Sequence, residues 1–138
     1  MKFSRFIGLF FTNLLAHYAL YLRSGIFVDM QIIEWTKLAI EDLKRIYDNI
    51  SKDSVRFAKI QVIRIRTKAK ILKSYPLSGK VITDIEDGRF RELVEGNYRI
   101  IYEIKNVSTI EILCVIHGRR LLKNHPTFLR KTKARTSG

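Results

Sequence analysis

One cysteine, Cys114, stands in 138 residues, so the chain can form no internal disulfide and no cysteine-rich zinc site. That scarcity points to a reducing compartment. Carboxylates are also few: 13 Asp and Glu face 26 Lys and Arg, a formal charge of +13. No internal repeat, low-complexity linker or helix-turn-helix pattern is present. The longest apolar run, "FIGLFFTNLLAHYALYL" at residues 6–22, has 17 residues and contains Thr12, Asn13 and His17. As a helix it would measure about 25 Å against a hydrocarbon core of about 30 Å. It resembles a short membrane segment or a signal, yet "RSGIFVD" after it offers no small-residue cleavage pattern.

What the chain does have is enough apolar material for one core, at 46% hydrophobic residues. The positive excess calls for a partner of opposite sign, whether nucleic acid, an acidic protein or an anionic surface. Residues 1–29 hold three basic residues and one acidic, so the excess belongs to residues 30–138. From Arg119 onward no carboxylate side chain occurs; that segment is either a solvated terminus or a functional cationic surface.

From Met30 the texture is that of a folded domain. "QIIEW" suggests a short strand, and Thr36 stands where a helix N-cap belongs. Ala39, Leu43, Ile46 and Ile50 recur at helical spacing, with Glu41 and Asp42 in the early turns, where negative charge suits the helix dipole. "SKDS" breaks that helix and supplies a second cap at Ser54. Val55, Ala58, Val62, Ile65, Ala69 and Leu72 then form another stripe, with Arg56, Lys59, Arg64, Arg66, Lys68, Lys70 and Lys73 mostly off it. Such a charge set is usually a solvated face. Pro76 and Gly79 end the helices. "RFRELV" and "YRIIYEI" flank Gly96 and Asn97, the turn chemistry of a tight hairpin, and "TIEILCVIH" comes next. In the last strand Ile110, Ile112, Cys114 and Ile116 are expected on one face and Leu113, Val115 and His117 on the other, so it should be central and covered on both sides. Tyr98 and Tyr102 fall on the apolar face of the strand before it, and a buried thiol is the natural reading of Cys114. The expected class is α+β, a β-α-α-β-β-β domain with an antiparallel sheet packed by a helical hairpin.

"IEWTKLAIEDLKRIYDNIS", "RELVEGNYRIIYEI" and "IEILCVIHGRRLL" resemble, in order and spacing, the RelE/ParE superfamily of type II toxin–antitoxin toxins, the ParE-like branch in particular. The resemblance spans about residues 30–122 and implies the same fold. It further implies a cytoplasmic toxin that arrests growth until a cognate antitoxin masks it. Operator DNA would be bound only through the antitoxin, and neither a cofactor, a metal nor a membrane is expected.

Two targets are compatible with that family. ParE-like members inhibit DNA gyrase, a binding act that needs no catalytic residue. RelE-like members cleave mRNA on the ribosome, which needs a base, an acid and cations for phosphoryl charge. The nuclease candidates are Arg99, His117, Arg119 and His125; the candidates for contact with a target or nucleic acid are Arg89, Arg91, Arg99, His117, Arg119 and Arg120. Arg99 has a structural alternative, an ion pair with Glu92 on the neighbouring strand. His117 could equally close the last strand. The segment after Leu122 has no tyrosine and is interrupted by Pro126, which departs from the nuclease pattern. Gyrase is therefore the first-choice target.

The leading 29 residues have no counterpart in the resemblance. The expected organisation is an apolar extension at 1–29, a toxin domain at 30–122 and a basic tail at 123–138, with Met30 as the functional start.

Overall fold

A computed structural model describes residues 31–85 and 87–129. The expectations for the apolar extension, for a start at Met30 and for the tail beyond residue 129 fall outside the described residues. Everything described belongs to the unit Gln31–Gly138.

Two helices form the expected hairpin. Helix α1, Lys37–Ser51, begins where the Thr36 hydroxyl accepts the Ala39 N–H, and α2, Val55–Lys70, begins where the Ser54 hydroxyl accepts the Phe57 N–H. Each cap satisfies an amide that the first helical turn leaves without a partner. Ala39, Leu43 and Ile46 of α1 and Ala58, Ile65 and Ala69 of α2 are buried. Val55, expected on the buried stripe, is instead half exposed in the first turn of α2. Asp42 departs from expectation more sharply. It lies beyond the first turn on the buried side, where its carboxylate accepts the Val115 N–H at 3.0 Å, so it serves the core and not the helix dipole.

The sheet has five strands: β1 (Ile32–Trp35), β2 (Lys80–Val81), β3 (Phe90–Glu95), β4 (Tyr98–Asn106) and β5 (Thr109–His117), in the order β1-β5-β4-β3-β2. Strands β2 to β5 pair antiparallel, while β1 pairs parallel with β5, so the sheet is mixed and has one short strand more than expected. Strands β3 and β4 are joined by a two-residue turn in which Gly96 has φ of 58°. Glycine in the first of the two turn positions relieves the steric cost that a side chain would incur there.

Strand β5 is central and covered on both faces. One core joins the two helices to Leu93, Ile100, Tyr102, Ile110, Ile112 and Val115; the other, on the opposite face, contains Phe90, Ile101, Leu113, Cys114 and Ile116. The expected alternation therefore fails midway. Ile101 pairs with Cys114 and Tyr102 with Ile112, which leaves Leu113 as an extra residue in a β-bulge. From there the side chains change phase, sending Cys114 and Ile116 to the face opposite Ile110 and Ile112. The bulge also frees the Leu113 carbonyl, which accepts the Thr36 hydroxyl at 3.0 Å and the Thr127 hydroxyl at 3.3 Å.

The second core is closed by the chain after β5. Leu122, in a 3-10 turn at Leu122–Asn124, and Phe128, in a helical turn at 126–129, are both buried there. The Phe128 ring meets Phe90 edge-on at 5.2 Å. Burial of side chains this size stabilises by roughly 1.5–3 kcal/mol each. Residues 122–129 are thus part of the folded domain.

Candidate functional site

The end of the sheet where β3 turns into β4 and β5 stops forms an open groove of ≈ 320 Å³. Its walls are set by backbone contacts: the Gly118 N–H donates to Asn97 O at 2.7 Å, tying the end of β5 to the β3–β4 turn, and the Arg120 N–H donates to His117 O at 2.9 Å. Tyr98 and His117 are paired across β4 and β5, with their rings edge-on at 5.7 Å. The His117 Nδ1 accepts the Arg119 N–H at 3.3 Å, which leaves Nε2 of the neutral ring as a donor. Arg119 is exposed beside it.

Arg99 is held by its neighbours. Its Nε donates to Glu92 on β3, and its Nη1 lies 3.0 Å from Asp84. Burial alone would lower its pKa, but the hydrogen bonds and charges of Glu92 and Asp84 outweigh that and raise it. The pairing with Glu92 was legible as a cross-strand neighbour; Asp84 lies in a loop with no pattern to announce it.

The other candidates are dispersed. Arg89 is exposed and makes a two-toothed contact with Asp87, Nε to Oδ1 at 2.9 Å and Nη2 to Oδ2 at 2.7 Å, with Glu103 at 3.6 Å. The hydrogen bond and charge of Asp87 raise its pKa. Arg91 donates to the carbonyls of Gly79 at 2.8 Å and Leu77 at 3.3 Å. Arg120 is exposed and does not line the groove. The structure therefore brings together Arg99, His117 and Arg119, and adds to them Tyr98, Asn97 and Glu92.

His125 does not line the groove. It is buried, with Nε2 3.0 Å from Asp42 Oδ2 and with Nδ1 accepting the Thr127 N–H at 3.3 Å. That arrangement places the ring proton of the neutral form on Nε2, directed at Asp42. Cys114 lies close by, and ligand atoms of Asp42, Cys114 and His125 fall within 4.8 Å of one another. A cation would have to displace hydrogen bonds already made: Asp42 accepts from Val115 and His125, and Arg45 stands 3.3 Å from its other oxygen. Burial, then the Asp42 charge, pushes the Cys114 thiol far up. The cluster is a fastening between α1, β5 and the C-terminal segment.

Chemically, the groove offers one imidazole N–H, one exposed guanidinium and a fixed ion pair beside an aromatic edge. That set suits recognition of an acidic or hydrogen-bonding group.

The family described as ParE toxin of type II toxin-antitoxin system, parDE, matches residues 33–122. Among solved structures the chain is similar to the chromosomal ParDE toxin–antitoxin system from P. aeruginosa, at 24% identity and a TM-score of 0.54, covering 64% of this chain and 96% of that one. It is also similar to the RelBE2 toxin–antitoxin complex from Mycobacterium tuberculosis, at 26% identity and a TM-score of 0.44, covering 64% and 99%. No protein of curated function matches the chain.

Proposed function

The chain belongs to the ParE toxin family of type II toxin–antitoxin systems, and from that premise we propose that it arrests growth by inhibiting DNA gyrase, through binding and without a catalytic group of its own. The observation that carries the choice of target is the state of Arg99. A ribonuclease that uses the 2′-hydroxyl as nucleophile needs uncommitted cations for the phosphoryl charge. Arg99, the arginine set deepest in the groove, is neutralised by Glu92 and Asp84. His125, a candidate acid or base, is buried against Asp42. What remains open in the groove, His117 and Arg119, suits binding to a protein surface.

A cognate antitoxin completes the reading. The helical hairpin and the loop after it leave Ile40, Phe57 and Leu77 more than half exposed. A partner segment carrying apolar and acidic groups would cover them and match the positive charge. A cytoplasmic location accords with that target; among the described residues no helix is long and apolar enough to cross a membrane.

The test adds the full chain to a gyrase supercoiling reaction and, separately, to cell-free translation with a labelled messenger. Loss of supercoiling with intact messenger is expected. Cleaved messenger with normal supercoiling would replace gyrase by the ribosome as the target.

A further inference from the structure

The charges of this protein are segregated. The ion pairs that Lys and Arg make among the described residues use Arg45, Arg89, Arg99 and Lys105. None lies on α2. That helix carries Arg56, Lys59, Arg64, Arg66, Lys68 and Lys70 and no carboxylate. Its cations face solvent or sit at its margin, without a carboxylate partner among the described residues.

Four of the six are ordered along one flank. At 3.6 residues per turn, Arg56, Lys59, Arg66 and Lys70 fall within an arc of about 80°, roughly 120° from the buried face of Ala58, Ile65 and Ala69, and extend along about 21 Å of helix. All four are exposed. The remaining position in that arc is Ile63, also exposed. From this we propose that the Arg56–Lys59–Arg66–Lys70 flank of α2 binds the phosphate backbone of duplex nucleic acid without reading its sequence.

Three features select that occupant. A row of cations about 21 Å long can meet several phosphates of a duplex, which presents one negative charge per roughly 1.7 Å of its axis with both strands counted. The arc holds no aromatic side chain, and single strands are gripped largely by stacking of bases on aromatics. It also lacks the succession of apolar anchors that a docked amphipathic protein helix requires, since Ile63 stands alone among the charges. Such contact is distinct from operator recognition and does not depend on whether gyrase or the ribosome is the target.

Binding of the full chain to a fluorescent DNA duplex of about 30 base pairs and arbitrary sequence, measured by anisotropy between about 50 and about 200 mM salt, tests this. Four phosphate contacts predict a log–log salt slope of about −3 to −4. The combined variant Arg56→Gln, Lys59→Gln, Arg66→Gln and Lys70→Gln should bind at least about tenfold more weakly and lose most of that slope, each position accounting for about one unit. Circular dichroism checks the fold, and the pairs Arg56→Gln with Lys59→Gln and Arg66→Gln with Lys70→Gln stand in if the fourfold variant does not fold. No binding at the lowest salt overturns the proposal. So does an unchanged slope in the variants, which would place the contact elsewhere on the chain. Displacement of the duplex by polyglutamate at equal charge concentration would overturn it in favour of an acidic protein.

Discussion

Asp42 Oδ2 on helix α1 and His125 Nε2 in the C-terminal segment lie 3.0 Å apart, both side chains buried, across 83 residues of sequence. With the Thr127 hydroxyl on Leu113 O, this contact fastens the segment to the sheet. Removing Asp42 leaves both His125 and the Val115 N–H without their acceptor, whereas removing His125 leaves the carboxylate its contacts with Val115 and Arg45. Asp42→Ala, which strands two buried donors, should therefore destabilise by about 2–5 kcal/mol and His125→Ala by about 1–3 kcal/mol in urea unfolding. The double variant should lose less than the sum.

The Tyr102 hydroxyl donates to Pro76 O at 2.8 Å and accepts the Gly79 N–H at 2.9 Å, deep in the core. Tyr102→Phe keeps the ring and strands both partners, at a cost of about 1–3 kcal/mol. Burial raises the phenol's pKa above its ordinary 10.0, against the opposing effects of Gly79 and Arg91. A group whose folded pKa lies above its unfolded value contributes full stability below the unfolded value and loses it as pH rises through the folded one. Melting temperature should thus fall above about pH 10, and fall less steeply in Tyr102→Phe.

The two helix caps differ in a way that stability can report. Ser54 makes one cap bond at an exposed site, whereas Thr36 adds a hydrogen bond to the Leu113 carbonyl at the bulge. Ser54→Ala should cost about 0.5–1 kcal/mol and Thr36→Ala about 1–2 kcal/mol, measured by denaturant midpoint at unchanged slope. Equal costs would mean that the Leu113 contact adds nothing.

These elements also divide what local sequence encodes from what it does not. Thr36 and Ser54 were legible because capping is chemistry between near neighbours. The stripes of α1 and α2 were legible because a helix repeats its face every few residues. Strand β2 has two residues, Lys80 and Val81, too few for any alternation to show. The Leu113 bulge inverts the phase of a strand without changing its composition, so a regular alternation mispredicts Cys114 and Ile116. The parallel pairing of β1 with β5 and the Asp42–His125 contact join residues more than 70 positions apart. At the candidate site the Arg99–Glu92 pair was visible as a cross-strand relation, but Asp84 lies in a loop without any pattern, and the grouping of Tyr98, His117 and Arg119 depends on the turn that Gly96 makes and on where β5 ends.

Cys114 is buried, and its thiol is held protonated by burial and by the nearby Asp42 charge. A thiol-reactive dye should label the native protein far more slowly than the urea-unfolded chain, since the thiolate is the reacting species. Fast native labelling would contradict the packing of the second core.

For the groove, His117→Ala and Arg119→Glu change side chains that hold little of the core. Stability should stay within about 1 kcal/mol of the parent. On the proposed reading of gyrase as the target, inhibition of supercoiling should weaken by about tenfold or more, equivalent to about 1.4 kcal/mol of binding. Inhibition at parental strength in both variants would remove the groove from the interface.

The parallel pairing of β1 with β5 sets a schedule for synthesis. Thr36 receives its Leu113 partner only after 77 further residues have been joined, a delay of roughly 4–15 s at ordinary elongation rates. Until then the first strand has no neighbour, and the helical hairpin has no central strand to pack on. The nascent domain therefore stays unfinished until β5 has been made, and that late strand is the one that joins its two cores.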